Sequence, residues 1–496
     1  MTQYLKIDPA DTVAVALEPL VMGTVMDDLN LTLSEDIPLG HKFALCDHRE
    51  GDKVIKYGGV IGQAHEPIKP GAHVHVHNIR TTLVGARNYL YNGPINRVSD
   101  SPNRKPLTFQ AFVRANGEIG IRNDIWIIPL VGCINGLGRN AARRFEAMDL
   151  LPQGSRVMVL EHPYGCSQLG DDLDNTRAIL QALAVHPNAG GVLIMGLGCE
   201  SNTEALFRSG FNPPDPQRLR YLVNQEVEDE MEAALEQLCA LAKNIRRDSR
   251  EPVAINRLRV GLKCGGSDGF SGITANPLLG AFSDWLCDLG GTTVLTEVPE
   301  MFGAEHLLME RAESRAVFND IERLINDFKA YFVTHNQPIY ENPSPGNKDG
   351  GISTLEEKSL GCTQKSGHAP IRDVIRYAER IRKPGLTLLE APGNDGVAVT
   401  ALAAAGCHLE LFTTGRGTPL GGVVPTMKIA TNTPLYKRKP HWLDFNAGPI
   451  AEGGISIDDL LPPFIDAILG IAEGKPTRNE LNDLHDMVIF KSGVTL

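Results

Sequence analysis

The feature that most restricts the fold is a recurring unit: a short apolar run, a loop that opens on glycine and cysteine, then a helical stretch. Ile125-Trp126-Ile127-Ile128-Pro129-Leu130-Val131 leads into Gly132-Cys133, and Val157-Met158-Val159-Leu160 into Tyr164-Gly165-Cys166. Val192-Leu193-Ile194-Met195 leads into Gly198-Cys199, and the three cysteines recur at 33-residue intervals, about one β-α-β unit. Leu258 to Leu262 runs into Cys264-Gly265-Gly266 in the same manner; Leu386–Leu389, a helix at 396–405 and Leu409–Phe412 continue the alternation. Strands alternating with helices predict an α/β body with a mainly parallel sheet. Ligands of such sheets bind beyond the carboxyl ends of the strands. Cys133, Cys166, Cys199 and Cys264 are therefore expected together at one end of one sheet, with Cys362 reaching them from a long loop.

A single free cysteine commonly fills a small apolar space, and Cys46, Cys239, Cys287 and Cys407 read that way. Four cysteines at one topological position suggest a site instead. No CxxC pair occurs among the nine cysteines, which disfavours a zinc finger or ribbon. Thiolates suit iron, which acts as a Lewis acid. An iron–sulfur cluster is conceivable, although ferredoxin-like spacing is absent.

Residues 1–80 have a different texture. Val13–Leu17, Lys42–Leu45 and Val54–Tyr57 are brief runs punctuated by Gly40, Gly51, Gly58 and Gly59, the pattern of a small all-β module. Its last run, Gly71 to Asn78, alternates strictly, so His73, His75 and His77 are expected on one face of a strand. Residues two apart on a strand lie about 6.6 Å from each other, near enough to share a metal, whereas i and i+4 are not. His75 with either neighbour is thus a metal site or an acid/base pair, and His41-Lys42 is expected close by. From 81 to 110 the periodicity stops at Asn92-Gly93-Pro94 and Ser101-Pro102-Asn103, which reads as a linker. The expected organisation is therefore a β module (1–80), a linker (81–110) and an α/β body beyond it.

Composition sets the outer limits. With 496 residues, 42% apolar and 22% charged, the chain has the mix of a globular protein of two or three domains. A net charge of −12 argues against nucleic acid, which requires a basic face. No apolar run approaches the ~20 residues of a membrane span, and the first residues lack a signal-peptide pattern. A cytoplasmic protein is expected.

Several loops carry more glycine, amide and carboxylate than a connection needs. They are Tyr164 to Asp172, Cys264 to Pro277, and Tyr340 to Lys365, the last with the composition of a lid. None matches GxxxxGK[ST] or a GxGxxG after a strand. Arg416, in Gly415-Arg416-Gly417, reads as a fork for a carboxylate.

Together with Gly40 to Leu45, His73 to Asn78, Glu297 to Glu305, Asn342 to Asn347, Gly361 to Lys365 and Phe490 to Leu496, these loops resemble the altronate/galactarate dehydratase family almost end to end. The resemblance implies a SAF-type β-clip at the N-terminus (1–80), a dimerising middle α/β domain (111–250) and a C-terminal variant Rossmann-like α/β domain (251–496). It implies a hydro-lyase that depends on divalent iron, with manganese as an alternative, in galacturonate (hexuronate) catabolism. The reaction implied is D-altronate to 2-dehydro-3-deoxy-D-gluconate and water.

Such a reaction removes a C2 proton beside a carboxylate and expels the C3 hydroxyl. It needs a Lewis acid on the developing charge and groups to carry protons. On this reading His75 and His77 are acid/base groups or metal ligands, assisted by His41 or Lys42. Cys166, Cys264, Cys362, Asp171, Asp268 and Glu297 are the expected metal ligands; Arg416, Lys365, Asn276 and Asn347 would hold the sugar acid. The competing readings are a galactarate dehydratase or sulfolactate lyase, a nicotinamide oxidoreductase and a non-enzymatic carbohydrate-binding protein.

Overall fold

The apolar runs become two separate parallel sheets. A computed structural model describes residues 3–93 and 107–496. In the middle of the chain Val157–Val159, Asp124–Pro129, Ala189–Gly196 and Leu219–Val223 form, in that spatial order, a four-stranded parallel sheet. Its two central strands, Asp124–Pro129 and Ala189–Gly196, are buried on both faces, as continuous apolar runs in a parallel sheet must be. One face packs on helices Asn135–Glu146 and Glu230–Ile245, the other on Asp171–Ala184.

The second sheet has seven strands, all parallel: Ile371–Ile375, Gly385–Leu389, Thr292–Leu295, Arg259–Cys264, Leu409–Thr414, Thr426–Ala430 and Phe445–Asn446. The chain enters at Arg259–Cys264, builds outward on one side, then returns to lay Leu409–Thr414 on the other. The order reverses there, which opens a crevice at the carboxyl ends of these two strands. Helix Asp395–Ala405 packs against this sheet and is buried all round, an alanine-rich helix without a polar stripe. Asn394 caps its start and Gly406, at φ +99°, its end.

This division corrects the expectation of one sheet with four cysteines at one end. Cys133, Cys166 and Cys199 belong to the four-stranded sheet, and Cys264 ends the central strand of the seven-stranded one. Flanking the four-stranded sheet in sequence, Thr108–Val113 and Ile119–Gly120 before it and Arg250–Ala254 after it form an antiparallel trio that breaks the β-α-β succession.

The first 80 residues form small antiparallel sheets: Tyr4–Leu5, Val13–Ala16, Lys42–Ala44 and His73–Val74 in one, Lys53–Lys56, Gly59–Ala64 and Ile79–Arg80 in another. The expected histidine strand is only two residues long. Asn78 accepts the N–H of His75 and donates to the carbonyl of His73, curling 75–78 into a turn. Residues 81–93 then run along the C-terminal domain, with Tyr89 bonded to Glu305. The expected turns at Pro94 and Ser101–Asn103 lie outside the described residues.

The presumed lid is folded, exposed over parts of 340–349 and buried almost throughout from Gly350 to Lys365. Residues 340–365 contain helices Pro345–Asp349 and Leu355–Thr363, the second entirely buried. Its Glu356, Glu357 and Lys358 are buried in ion pairs or hydrogen bonds, so the helix carries no apolar periodicity for sequence reasoning to find.

Candidate functional site

The β-clip folds back onto the carboxyl edge of the seven-stranded sheet, and the contact is backbone against backbone. Within the C-terminal domain the Gly269 N–H donates to Gly350 O at 2.7 Å, and the Gly40 backbone of the β-clip seats against this pair of loops. A Cβ at Gly269 would come within 2.0 Å of the Gly40 carbonyl, and one at Gly351 within 2.3 Å, so glycine is required at both. This seating delivers His41 and Lys42, which follow Gly40, to the crevice.

Three imidazoles converge there. His41 Nδ1 lies 3.0 Å from His73 Nε2, and the His41 and His75 ring centroids are 4.9 Å apart. One nitrogen from each of His41, His73 and His75 falls within 4.8 Å of the others. The turn at 75–78 also brings the His77 ring to 5.3 Å from His73, a proximity that a straight strand excludes. His77 itself is exposed.

The supporting shell comes from the Leu355–Thr363 helix and the residues before it. His41 Nε2 faces Asp349 O at 3.2 Å and His75 Nδ1 faces Ser353 Oγ at 3.1 Å. Lys42, wholly buried, donates to Gly351 O, Ser353 Oγ and Glu357. Glu357 also pairs with Lys56 at 2.8 Å. Burial opposes the Glu357 charge, but the two lysines pull its carboxyl down to about 2. Burial lowers Lys42 to about 8, against the pull of Glu357. Burial, with neighbouring cations and imidazoles, pushes His73 and His75 down to about 3, so both are neutral near pH 7.

Beneath lies a second buried group at the end of the central strand. Cys264 Sγ is 3.4 Å from Cys362 Sγ, 3.1 Å from Glu300 and 2.7 Å from Lys365 Nζ. Lys263 pairs with Glu297 and Asp395, and Lys358 with Glu300 at 2.9 Å. A small enclosed space lined by Tyr57, Asp268, Lys358 and Cys362 adjoins it.

The expected residues therefore divide. His41, Lys42, His75 and His77 come together, with His73 as the closest partner of His41. Cys264, Cys362 and Glu297 come together as well, but Cys166 and the exposed Asp171 lie on the other sheet. Asp268 is buried and takes hydrogen bonds from Thr431, Asn432 and Ser271; burial raises its carboxyl despite them. Lys365, Asn276 and Asn347 are committed inside the protein: Lys365 to Cys264 and Glu297, Asn276 to Gly361 and Thr413, Asn347 to Ser267 and Lys358. Among the substrate-holding candidates Arg416 alone is exposed, beside Gly266 at the crevice. Cys46, read as a packing residue, is exposed. Sequence reasoning missed Lys56, Lys263, Ser353, Glu357 and Lys358. For Lys56 and Lys263 the signal is a charge inside a strand run, and for Ser353, Glu357 and Lys358 only their place in the 340–365 stretch read as a lid.

Three metal-like groupings are thus present among the described residues, His41–His73–His75, Glu35–His73–His77 (which shares His73 and includes an exposed carboxylate that sequence reasoning did not single out) and Cys264–Glu300–Cys362, and their surroundings differ. Three imidazoles, each offering one nitrogen, fit a divalent first-row ion. The Cys264–Glu300–Cys362 group already holds the ammonium groups of Lys365 and Lys358, which oppose a further cation.

Comparison with known proteins covers nearly the whole chain. Residues 2–82 match the altronate/galactarate dehydratase SAF domain, 111–246 the D-galactarate dehydratase/altronate hydrolase second domain, and 255–495 the D-galactarate/altronate dehydratase C-terminal domain. Altronate dehydratase of Escherichia coli (strain K12) is 53% identical over 497 residues, covering 100% of both chains. Altronate dehydratase of Bacillus subtilis (strain 168) is 51% identical, again over 100% of both. Galactarate dehydratase (L-threo-forming) of Escherichia coli is 33% identical over 95% of this chain and 93% of its own.

Proposed function

The chain belongs to the D-galactarate/altronate dehydratase family, and from that premise we propose that it is a hydro-lyase converting D-altronate to 2-dehydro-3-deoxy-D-gluconate and water. The observation that carries the substrate is the end-to-end identity of 53% and 51% to two altronate dehydratases, against 33% to a galactarate dehydratase. Offering purified protein D-altronate and galactarate in separate assays tests it. Product from altronate, with little from galactarate, is expected; preference for galactarate would reassign the substrate.

We place a divalent ion, iron by the family resemblance and manganese as the alternative, on His41, His73 and His75. Bound there, it would supply Lewis-acid stabilisation to the charge that develops when a proton leaves C2. The protein's own groups do the rest. With Nδ1–H of His75 donating to Ser353 Oγ, its Nε2 lone pair is left free, and Lys42 fixes Ser353 from behind. Glu357 anchors Lys42 and Lys56 together, so the wall of the site keeps its shape. His77, exposed beside His73, is the group positioned to carry a proton at C2 or at the C3 oxygen. Arg416 is free to grip the substrate carboxylate at the crevice mouth. The homodimer implied by the family resemblance belongs to the same reading.

A further inference from the structure

The histidine site leaves the recurring cysteines of the middle domain without a role. Of the nine cysteines, Cys46, Cys133, Cys166 and Cys199 are exposed, although free cysteine is among the residues most often buried. Three of these four stand on the loops that follow three adjacent parallel strands. Val157–Val159 and Ala189–Gly196 flank Asp124–Pro129, so the three loops lie side by side at one carboxyl edge.

The loops are held against each other through the neighbours of those cysteines. Gly132 N–H donates to Tyr164 O at 2.8 Å, and Asn202 N–H to Gly165 O at 2.9 Å. A Cβ at Gly132 would stand 2.7 Å from His162 O, and one at Gly165 only 1.9 Å from Leu130 O. The residues preceding Cys133 and Cys166 therefore must be glycine for the loops to close up. Glu200 folds back to take the N–H groups of Leu197 and Gly198, which fixes the turn that presents Cys199. Two donors already address the sulfurs: Gln225 Nε2 is 3.7 Å from Cys199 Sγ and Ser167 Oγ 3.9 Å from Cys166 Sγ. The segment 492–496 covers this edge, with Leu496 N–H donating to Ser167 O at 3.0 Å and the Ser492 and Gly493 N–H groups to Asp172.

Among the described residues these thiols do not form a set whose ligand atoms all lie within 4.8 Å, unlike the three groupings at the β-clip and the seven-stranded sheet. As they stand they are spread too widely for one ion. We propose that Cys133, Cys166 and Cys199 are the protein ligands of an iron–sulfur cluster at the carboxyl edge of the middle sheet. Ferrous and ferric iron in equal parts assemble with sulfide on the three thiols, each of which releases its proton as it ligates an iron, so that no further oxidant is needed. In a cluster of four irons, three thiolates leave one iron without a protein ligand and open to an oxygen atom. The Gln225 and Ser167 donors are placed to tune it through hydrogen bonds to sulfur. This assignment goes beyond the dehydratase reading and does not depend on turnover.

The test is anaerobic reconstitution of the full chain with equal amounts of ferrous and ferric iron and with sulfide, followed by desalting. Iron and acid-labile sulfide, the visible absorption of a cluster and a paramagnetic signal on reduction or oxidation are expected. Cys133→Ser, Cys166→Ser and Cys199→Ser should each reduce bound sulfide to background with unchanged circular dichroism, since the side chains are exposed. Cys46→Ser, exposed on the β-clip, should retain it. Iron bound without sulfide, no chromophore at all, or a chromophore that survives the triple substitution would overturn the assignment.

Discussion

His41, His73 and His75 owe their neutrality to burial, and that has a consequence for acid stability. Both His73 and His75 sit at about 3 in the folded protein, below the ordinary 6.5. Above the ordinary value folded and unfolded chains are both neutral at these rings; below it the unfolded chain binds protons that the folded one refuses. Stability of the metal-free protein should therefore fall as pH drops from 6.5 towards about 3, and His73→Asn with His75→Asn should flatten that dependence in denaturant titrations. The four site histidines should also separate by role. His75→Ala should lose bound ferrous iron along with turnover. His77→Ala should keep the ion and lower kcat by about 10²–10⁴-fold, the usual contribution of a general acid or base. Equal loss of metal in both variants would place His77 in the ligand set. Much of this was legible in the sequence: the alternation of His73, His75 and His77 marked the site and Gly40-His41-Lys42 its partner. The choice of His73 over His77 was not, because Asn78 curls the chain where alternation predicts a strand.

At the scale of elements, the seat of the β-clip rests on glycines that allow two backbones to touch. Gly269→Ala forces a methyl group into the Gly40 carbonyl. It should cost about 1–3 kcal/mol, in the range of other overpacked contacts, and reduce turnover by displacing His41. Normal activity with normal stability in that variant would show that the contact does not position the site. The buried turn Gln364–Ser366, which continues helix Leu355–Thr363, offers a second test. Lys365→Ala removes a cation from Cys264, Glu297 and Glu300 and should destabilise the fold by about 3–5 kcal/mol, as breaking buried ion pairs does. If Lys365 instead held substrate, KM would rise while the unfolding midpoint stayed put. That helix is where sequence reasoning failed: its inward faces are charged, so neither helix periodicity nor burial could be read from apolar residues. The strands were the opposite case, since continuous apolar runs such as Ile125–Ile128 have no other use than a sheet covered on both faces.

Across the whole molecule, the sequence pattern identified an α/β body behind a small β module, but not that the body holds two parallel sheets. The strand-loop-cysteine unit looks alike in both, and only the antiparallel trio around Thr108–Val113 and Arg250–Ala254 separates them. The separation matters for function, because it divides one imagined thiol centre into a histidine site over the seven-stranded sheet and a cysteine edge on the four-stranded one. The central claim is that dehydration takes place where the β-clip meets the seven-stranded sheet, on an ion held by histidines. The most direct test is anaerobic turnover of D-altronate by the wild-type chain and by His73→Ala, each with ferrous iron and again with a chelator. The account predicts iron-dependent formation of 2-dehydro-3-deoxy-D-gluconate by the wild-type chain and loss of both turnover and chelator sensitivity in His73→Ala; full turnover by His73→Ala, still abolished by the chelator, would contradict it.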